Sequence, residues 1–145
     1  MDMNFTIPVN EAFEASRDDA RCGCPMCALY RKLEENELDL ILGASMMEPD
    51  VRQETNELGF CTTHLSEMFK RGRKLPLALL LESHLNFYSA YIDNAQGSLF
   101  TGMKANSTIR ELSELSSSCY VCGRIENNLS RMIETAALLG QNDDK

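Results

Sequence analysis

The sequence predicts an all-α protein, an irregular bundle of about six or seven helices around one long central helix. Apolar residues recur at three- and four-residue steps through most of the chain, which is the period of an α-helix. No run of alternating β-branched residues is long enough for a half-buried strand. With 145 residues the chain has the size of a single domain. We expect residues 1–145 to form that domain, with a frayed tail at 140–145.

Each of the first three helices has a cap or turn residue that predicts one of its ends. Asn10 precedes a short first helix. Proline opens the second and third helices, because its missing N–H donor is not needed at the first helical position. Glycine follows both, since it commonly supplies the left-handed conformation past a helix end. The predicted ranges of the second, third and fourth helices are 25–42, 49–58 and 61–70.

The last three helices are predicted from periodicity and from the breaks between them. The fifth is the longest and most apolar, and we predict that it is the central helix. Its inward face comprises Leu77, Leu80, Leu81, His84, Tyr88, Tyr91 and Ala95. A polar, glycine-containing loop is predicted at 96–107. Thr108 and Glu111 form a capping box for a sixth helix, serines at 116–118 interrupt it, and a seventh helix covers about 120–139.

Charge and composition exclude several classes of function. Asp and Glu number 22 against 14 Lys and Arg, which gives a net charge of −8, so we expect no binding to nucleic acid or to anionic membranes. The basic run 70–74 has no interleaved aromatic residues and is interpreted as a solvated helix end. No apolar stretch is long enough to span a membrane, and the acidic segment 1–20 is unlike a signal peptide. The cytoplasm is therefore the expected compartment.

Six cysteines in a reducing compartment indicate metal binding or redox chemistry before structural disulfides, although small buried cysteines are an alternative. Two residues separate Cys24 from Cys27, and two residues separate Cys61 from His64. This spacing lets one turn of backbone present both donors to one ion, and three sulfurs with one imidazole suit tetrahedral zinc. We therefore predict a structural zinc site at Cys24, Cys27, Cys61 and His64, which ties two distant helix starts together.

A second Cys-x-x-Cys pair, Cys119 and Cys122, precedes the last helix and repeats the first pair. No Cys-x-x-His element follows it within the chain, so it is a half-site. His84 is the candidate partner, although a lone histidine on an apolar helix face is more often hydrogen-bonded than metal-bound. A disulfide within the pair, and a dimer that joins two such half-sites, are open alternatives.

Four elements together carry a resemblance to a known family. They are the Cys-Pro-x-Cys helix start, the turn at 46–52, Gly59-Phe60-Cys61-x-x-His64 and the later Cys-x-x-Cys pair. Over about residues 24–133 they resemble an uncharacterised bacterial family of Cys-rich helical proteins. The resemblance implies that longer members complete the second copy with another Gly-Phe-Cys-x-x-His element, which this chain lacks; a truncated chain would explain the difference. It supports metal binding and implies no activity.

The sequence therefore predicts a zinc-binding helical protein that binds or regulates a macromolecule, either another protein or a second copy of itself. Four protein ligands leave no open position for water, and no phosphate-binding glycine loop, serine nucleophile elbow or His-Glu-x-x-His helix is present, so an enzyme is not favoured. The alternative is a thiol-disulfide switch or oxidoreductase that uses Cys119 and Cys122, or Cys24 and Cys27. A metalloenzyme would need fewer than four protein ligands.

Overall fold

The computed structural model confirms the all-α fold. It describes the backbone of residues 3–99 and 105–143, and the side chains of residues 5–93, 109–114 and 117–141. In these ranges the chain forms seven α-helices, two short 3-10 helices and no strand. The α-helices are α1 (Met3–Asp18), α2 (Pro25–Ile41), α3 (Pro49–Leu58), α4 (Thr62–Lys70), α5 (Lys74–Leu99), α6 (Ala105–Ser117) and α7 (Tyr120–Asp143). The 3-10 helices are Ala20–Cys22 and Ala44–Met47.

The first helix begins earlier than its predicted cap. α1 starts at Met3, before Asn10, and contains Pro8. Because Pro8 lies in the second turn, its missing N–H removes only one of the first hydrogen bonds of a 16-residue helix. The remaining bonds are sufficient to continue the helix to Asp18.

Two other boundaries differ from the prediction. α5 continues to Leu99 and α6 begins at Ala105, so both ends of the predicted loop at 96–107 are helical. Residues 100–104 of that loop lie outside the described residues. α7 continues to Asp143, through most of the tail that was predicted to fray. The ranges predicted from local composition are therefore shorter than α5, α6 and α7 in the structure.

The contacts within the chain divide it into two compact units, and the single-domain organisation stays a prediction. Unit 1 comprises 1–37 and 123–145, and unit 2 comprises 38–122. Glu37 is buried in unit 1, where its carboxylate lies 3.5 Å from Arg124 Nε and accepts a 3.4 Å hydrogen bond from Asn128 Nδ2. These partners satisfy a charge that would be unfavourable to bury alone. The apolar core of unit 1 includes Val9, Leu29, Leu33, Ile125 and Met132.

Unit 2 is organised around α5, as predicted for the central helix. Leu77 and Leu80 are buried on its inward face. α3 packs along α5, and Arg52 Nη1 donates a 2.8 Å hydrogen bond to the carbonyl oxygen of Leu79. Among the described side chains, the other buried apolar ones of this unit are Leu38, Ile41, Leu42, Met46, Met68, Cys119, Tyr120 and Val121.

Acidic neighbours reduce the positive charge of the basic run 70–74. Lys70 Nζ lies 2.7 Å from a carboxylate oxygen of Glu67, and Arg71 Nη1 lies 2.6 Å from one of Asp39. Both pairs are partly exposed, so they contribute little to stability. Over the part of the chain that the structure describes, no helix is both long enough and apolar enough to cross a membrane.

Candidate metal centre

The turn between α3 and α4 positions Cys61 and His64. α3 ends at Leu58, and Gly59 follows with a φ of 60°, in a conformation that side chains with a Cβ rarely adopt. The Gly59 N–H donates to the carbonyl oxygen of Thr55 and closes the helix. Cys61 is the N-cap of α4, because its Sγ accepts a 3.5 Å hydrogen bond from the His64 backbone N–H. The cap places the sulfur and the imidazole on the same side of the helix start.

The second Cys-x-x-Cys pair, 119–122, reaches the same point from the start of α7. The Tyr120 N–H donates a 3.0 Å hydrogen bond to the carbonyl oxygen of Gly59. Ser118 Oγ donates a 2.8 Å hydrogen bond to the carbonyl oxygen of Leu58. These two hydrogen bonds fasten the start of α7 to the turn between α3 and α4. They bring together segments that are about sixty residues apart in the sequence.

The ligand atoms of Cys61, His64, Cys119 and Cys122 all lie within 4.8 Å of one another. His64 Nδ1 is 3.3 Å from Cys61 Sγ, 3.4 Å from Cys119 Sγ and 3.3 Å from Cys122 Sγ. The sulfurs of Cys61 and Cys122 are 3.9 Å apart. A tetrahedron with bonds of about 2.3 Å to sulfur and about 2.0 Å to nitrogen has edges of about 3.8 and 3.5 Å. The three nitrogen–sulfur distances and the Cys61–Cys122 sulfur distance therefore match a tetrahedral Cys3His metal site, and the other two sulfur pairs lie within 4.8 Å.

Burial of these residues is graded. His64 and Cys119 are buried, Cys61 is half-buried and Cys122 is exposed. A cation would therefore be shielded on the inner side by the protein and could enter from the side of Cys122. Such an entry path is one of the features expected of a genuine metal site.

Neighbouring sulfurs shift the pKa values of Cys61 and Cys122. Burial raises the pKa of Cys61. Hydrogen bonds from the His64 amide and from the thiols of Cys119 and Cys122 outweigh that effect, so the pKa lies below its ordinary value. Burial raises the pKa of Cys122 to about 12, and the sulfurs of Cys119 and Cys61 add to the increase. Each further thiolate therefore has to form beside an existing negative charge. A divalent cation bound among the sulfurs would offset that repulsion.

The structure groups Cys61 and His64 with a different cysteine pair from the predicted one. Cys24 and Cys27 belong to unit 1, whereas the four clustered residues belong to unit 2. Among the described residues, no other set of three or more ligand side chains converges in this way. Two distant helix starts are indeed brought together, but they are those of α4 and α7. Metal binding by Cys24 and Cys27 stays a prediction.

His84 is not a member of the cluster, and His64 is the histidine beside Cys119 and Cys122. The Nδ1 of His84 lies 2.9 Å from the carbonyl oxygen of Asn56. Its ring packs directly on the turn, because a Cβ added to Gly59 would lie 2.7 Å from His84 Cε1. His84 therefore supports the turn that precedes Cys61 without offering a ligand to the cluster.

Cys24 and Cys27 form a separate, exposed thiol pair at the start of α2. The Cys27 N–H donates a 3.3 Å hydrogen bond to Cys24 Sγ. This bond, together with one from the Cys27 thiol, lowers the pKa of Cys24. The Cys24 sulfur in turn raises the pKa of Cys27. The pair thus contains one thiol with a lowered pKa and one with a raised pKa.

Comparison with known proteins identifies the family. The chain belongs to a family of unknown function, DUF6062, which it matches over residues 1–145. This finding confirms the resemblance to an uncharacterised family of Cys-rich proteins. No curated protein and no solved structure matches the chain.

Proposed function

We propose that this DUF6062 protein holds one structural zinc ion at Cys61, His64, Cys119 and Cys122, and acts in the cytoplasm as a binding or regulatory module for another macromolecule. The convergence of three sulfurs and Nδ1 at tetrahedral spacing supports the metal site. Zinc is the preferred ion because it combines thiolate and imidazole ligands in a tetrahedron without a redox change. A reducing compartment would keep the three thiols available as ligands.

The number of ligands supports a structural role for the ion. Four protein donors fill a tetrahedral coordination sphere and leave no position for water or substrate. Cys61 and Cys122 are 61 residues apart, so the ion would close a loop that contains α5 and α6. Closing a loop of this length removes conformations from the unfolded chain and so stabilises the folded one. We therefore favour a protein whose surface binds or regulates a partner over an enzyme that hydrolyses a substrate at the ion, because the ion would serve only to fix helix geometry.

The metal content and the thiol reactivity of the purified full-length protein test this proposal. We expect about one equivalent of zinc per chain by elemental analysis, because one set of four ligands converges. A thiol reagent should modify the exposed Cys22, Cys24 and Cys27 at once, and the three ligand cysteines only after a chelator removes the ion. Protein that contains no metal, or that exposes all its thiols before chelation, would contradict the proposal. A second equivalent would reveal an additional site at Cys24 and Cys27.

Thiol-disulfide exchange at Cys24 and Cys27 is a second candidate function. It is favoured because both thiols are exposed and the pKa of Cys24 is lowered while that of Cys27 is raised. The Cys24 thiolate would attack a disulfide substrate, form a mixed disulfide and release one substrate thiolate. The Cys27 thiol would lose its proton and attack Cys24 Sγ, which releases the second substrate thiolate and leaves a Cys24–Cys27 disulfide. Exposure at a helix start makes the attacking sulfur accessible.

The alkylation rates of the exposed cysteines test whether Cys24 is an activated thiol. We expect iodoacetamide to modify Cys24 faster than Cys22 and Cys27, with a rate that reaches its plateau at a lower pH than that of an ordinary thiol, because the pKa of Cys24 is lowered. Mass spectrometry after timed quenching would assign each rate, in the wild type and in Cys27→Ser. That variant keeps the backbone donor to Cys24, so it should keep part of the effect. Equal rates at the three exposed cysteines would argue against an activated thiol.

A further inference from the structure

An open cavity of about 380 Å³ lies in unit 2 between α3, α5 and α6. Its volume is within the range of small-molecule sites. One wall consists of three aromatic side chains of α5. The last of them lies four residues after the first and three residues after the second, so it neighbours both on the helix surface. The aromatic residues are Phe87, Tyr88 and Tyr91, and the acidic residues that also line the cavity are Glu57, Glu111 and Glu114. None of the described lining residues is basic.

Tyr88 makes several contacts within the aromatic wall. The rings of Phe87 and Tyr88 are 5.7 Å apart between centroids and nearly perpendicular, at 89°. The Tyr88 hydroxyl donates a 3.3 Å hydrogen bond to the carbonyl oxygen of Glu57, which joins α5 to α3. The His84 ring packs edge-on against Tyr88, with 4.5 Å between centroids. The Tyr88 ring is therefore held in place before any ligand arrives.

The electrostatics of the cavity favour positive charge. Aromatic faces carry a negative quadrupole and attract cations, and the attraction increases when the cation is desolvated. The carboxylates add negative charge, although that of Glu114 is partly neutralised by Arg110 at 3.0 Å. Glu111 is exposed at the cavity and can meet an incoming cation. An anion would be repelled by the same groups.

We propose that this cavity binds a small organic cation, an ammonium group joined to an apolar body of about a dozen heavy atoms. The ammonium group would meet the aromatic faces and Glu111, and the apolar body would cover the rest of the wall, including Leu58. A lysine side chain alone would fill only a small part of the volume. The site is separate from the zinc ligands, but Leu58 and Ser118 line it, and their hydrogen bond fastens the segment that contains Cys119. A bound cation would therefore contact the junction that positions the metal centre.

Three ligands with the same apolar body test the charge preference in the full-length, metal-loaded protein. Isothermal titration would compare 4-phenylbutylammonium, 4-phenylbutanol and 4-phenylbutyrate. We expect the ammonium compound to bind at least about tenfold more tightly than the alcohol, and the carboxylate not to bind detectably. Equal affinity for the three compounds, or binding of the carboxylate alone, would overturn the proposal.

Substitutions locate the binding. Phe87→Ala should weaken ammonium binding about tenfold, whereas Phe69→Ala, which removes an exposed phenylalanine outside the cavity, should leave it unchanged. Glu111→Gln changes an exposed side chain, so it should fold normally and should reduce the preference for the ammonium compound over the alcohol. If both cavity variants bind as the wild type does, the cation site is refuted. Metal content measured on the same samples reports separately on the zinc proposal.

Discussion

Cys119→Ser is expected to remove stoichiometric zinc from the protein and to lower its free energy of unfolding by about 3 kcal/mol or more. Cys119 is the buried cysteine of the cluster, with its Sγ 3.4 Å from His64 Nδ1. A serine hydroxyl is a poor ligand for zinc. Without the ion, the segment between Cys61 and Cys122 would no longer be closed into a loop, and the stabilisation that comes from closing it would be lost. Elemental analysis and urea unfolding followed by circular dichroism measure the two effects.

Cys22→Ser is the matched control, because Cys22 is exposed and lies outside the cluster. It should keep one equivalent of zinc and the unfolding midpoint of the wild type. A chelator should lower the midpoint of the wild type and of Cys22→Ser, but should have little further effect on Cys119→Ser. If Cys119→Ser keeps its zinc while Cys22→Ser loses it, the assignment of the ligands is incorrect.

Gly59→Ala is expected to destabilise the protein by about 2 to 4 kcal/mol and to weaken zinc binding. The φ of 60° and ψ of −155° at Gly59 form a combination that is nearly restricted to glycine, and adopting it with a Cβ costs about 1 to 3 kcal/mol. The added Cβ would also lie 2.7 Å from His84 Cε1 and 2.9 Å from His84 Nε2, so the ring or the turn has to move. Movement of the turn would displace Cys61 from the other ligands. Denaturant unfolding and a zinc competition assay measure the two effects.

Gly72→Ala separates the two causes. Gly72 also has a positive φ, of 72°, but a Cβ there would have no atom within 4 Å, so this variant places a side chain at a positive φ without a collision. We expect it to lose less stability than Gly59→Ala and to keep its affinity for zinc. Adding His84→Ala to Gly59→Ala should relieve the collision and recover part of the zinc affinity. Equal losses in Gly59→Ala and Gly72→Ala would show that contact with His84 has no role.

The helical fold and one half of the candidate metal centre were accessible from the sequence because both depend on local physics. Helical periodicity predicts the seven helices, and the spacing of Cys61 and His64 reflects a single turn of backbone. The choice of the second half-site depends instead on tertiary contacts. The hydrogen bond from the Tyr120 N–H to Gly59 joins residues far apart in the sequence, and no local pattern indicates it.

The repeat between the two Cys-x-x-Cys pairs led to a predicted ligand set that differs from the cluster in the structure. The prediction joined the first pair to the Cys-x-x-His element that follows it, whereas in the structure Cys61 and His64 lie beside the pair that comes after them. The number of donors in each element was a signal that could have indicated the observed grouping. Cys119 and Cys122 supply two ligands and need two more, which Cys61 and His64 can provide. His84 shows the same limit: its position on the inward face of α5 was predictable, but its contact with the Asn56 carbonyl oxygen was not.

The link between Gly59 and Tyr120 is made by main-chain atoms alone, so it can form without an ion. The two halves of the centre would then be aligned in advance, and capture of a cation would require little rearrangement. Such rigidity favours selectivity, because copper(II) and nickel(II) often prefer square-planar surroundings and would have to distort a tetrahedral cage. The backbone of this protein would thereby help to decide which element it carries.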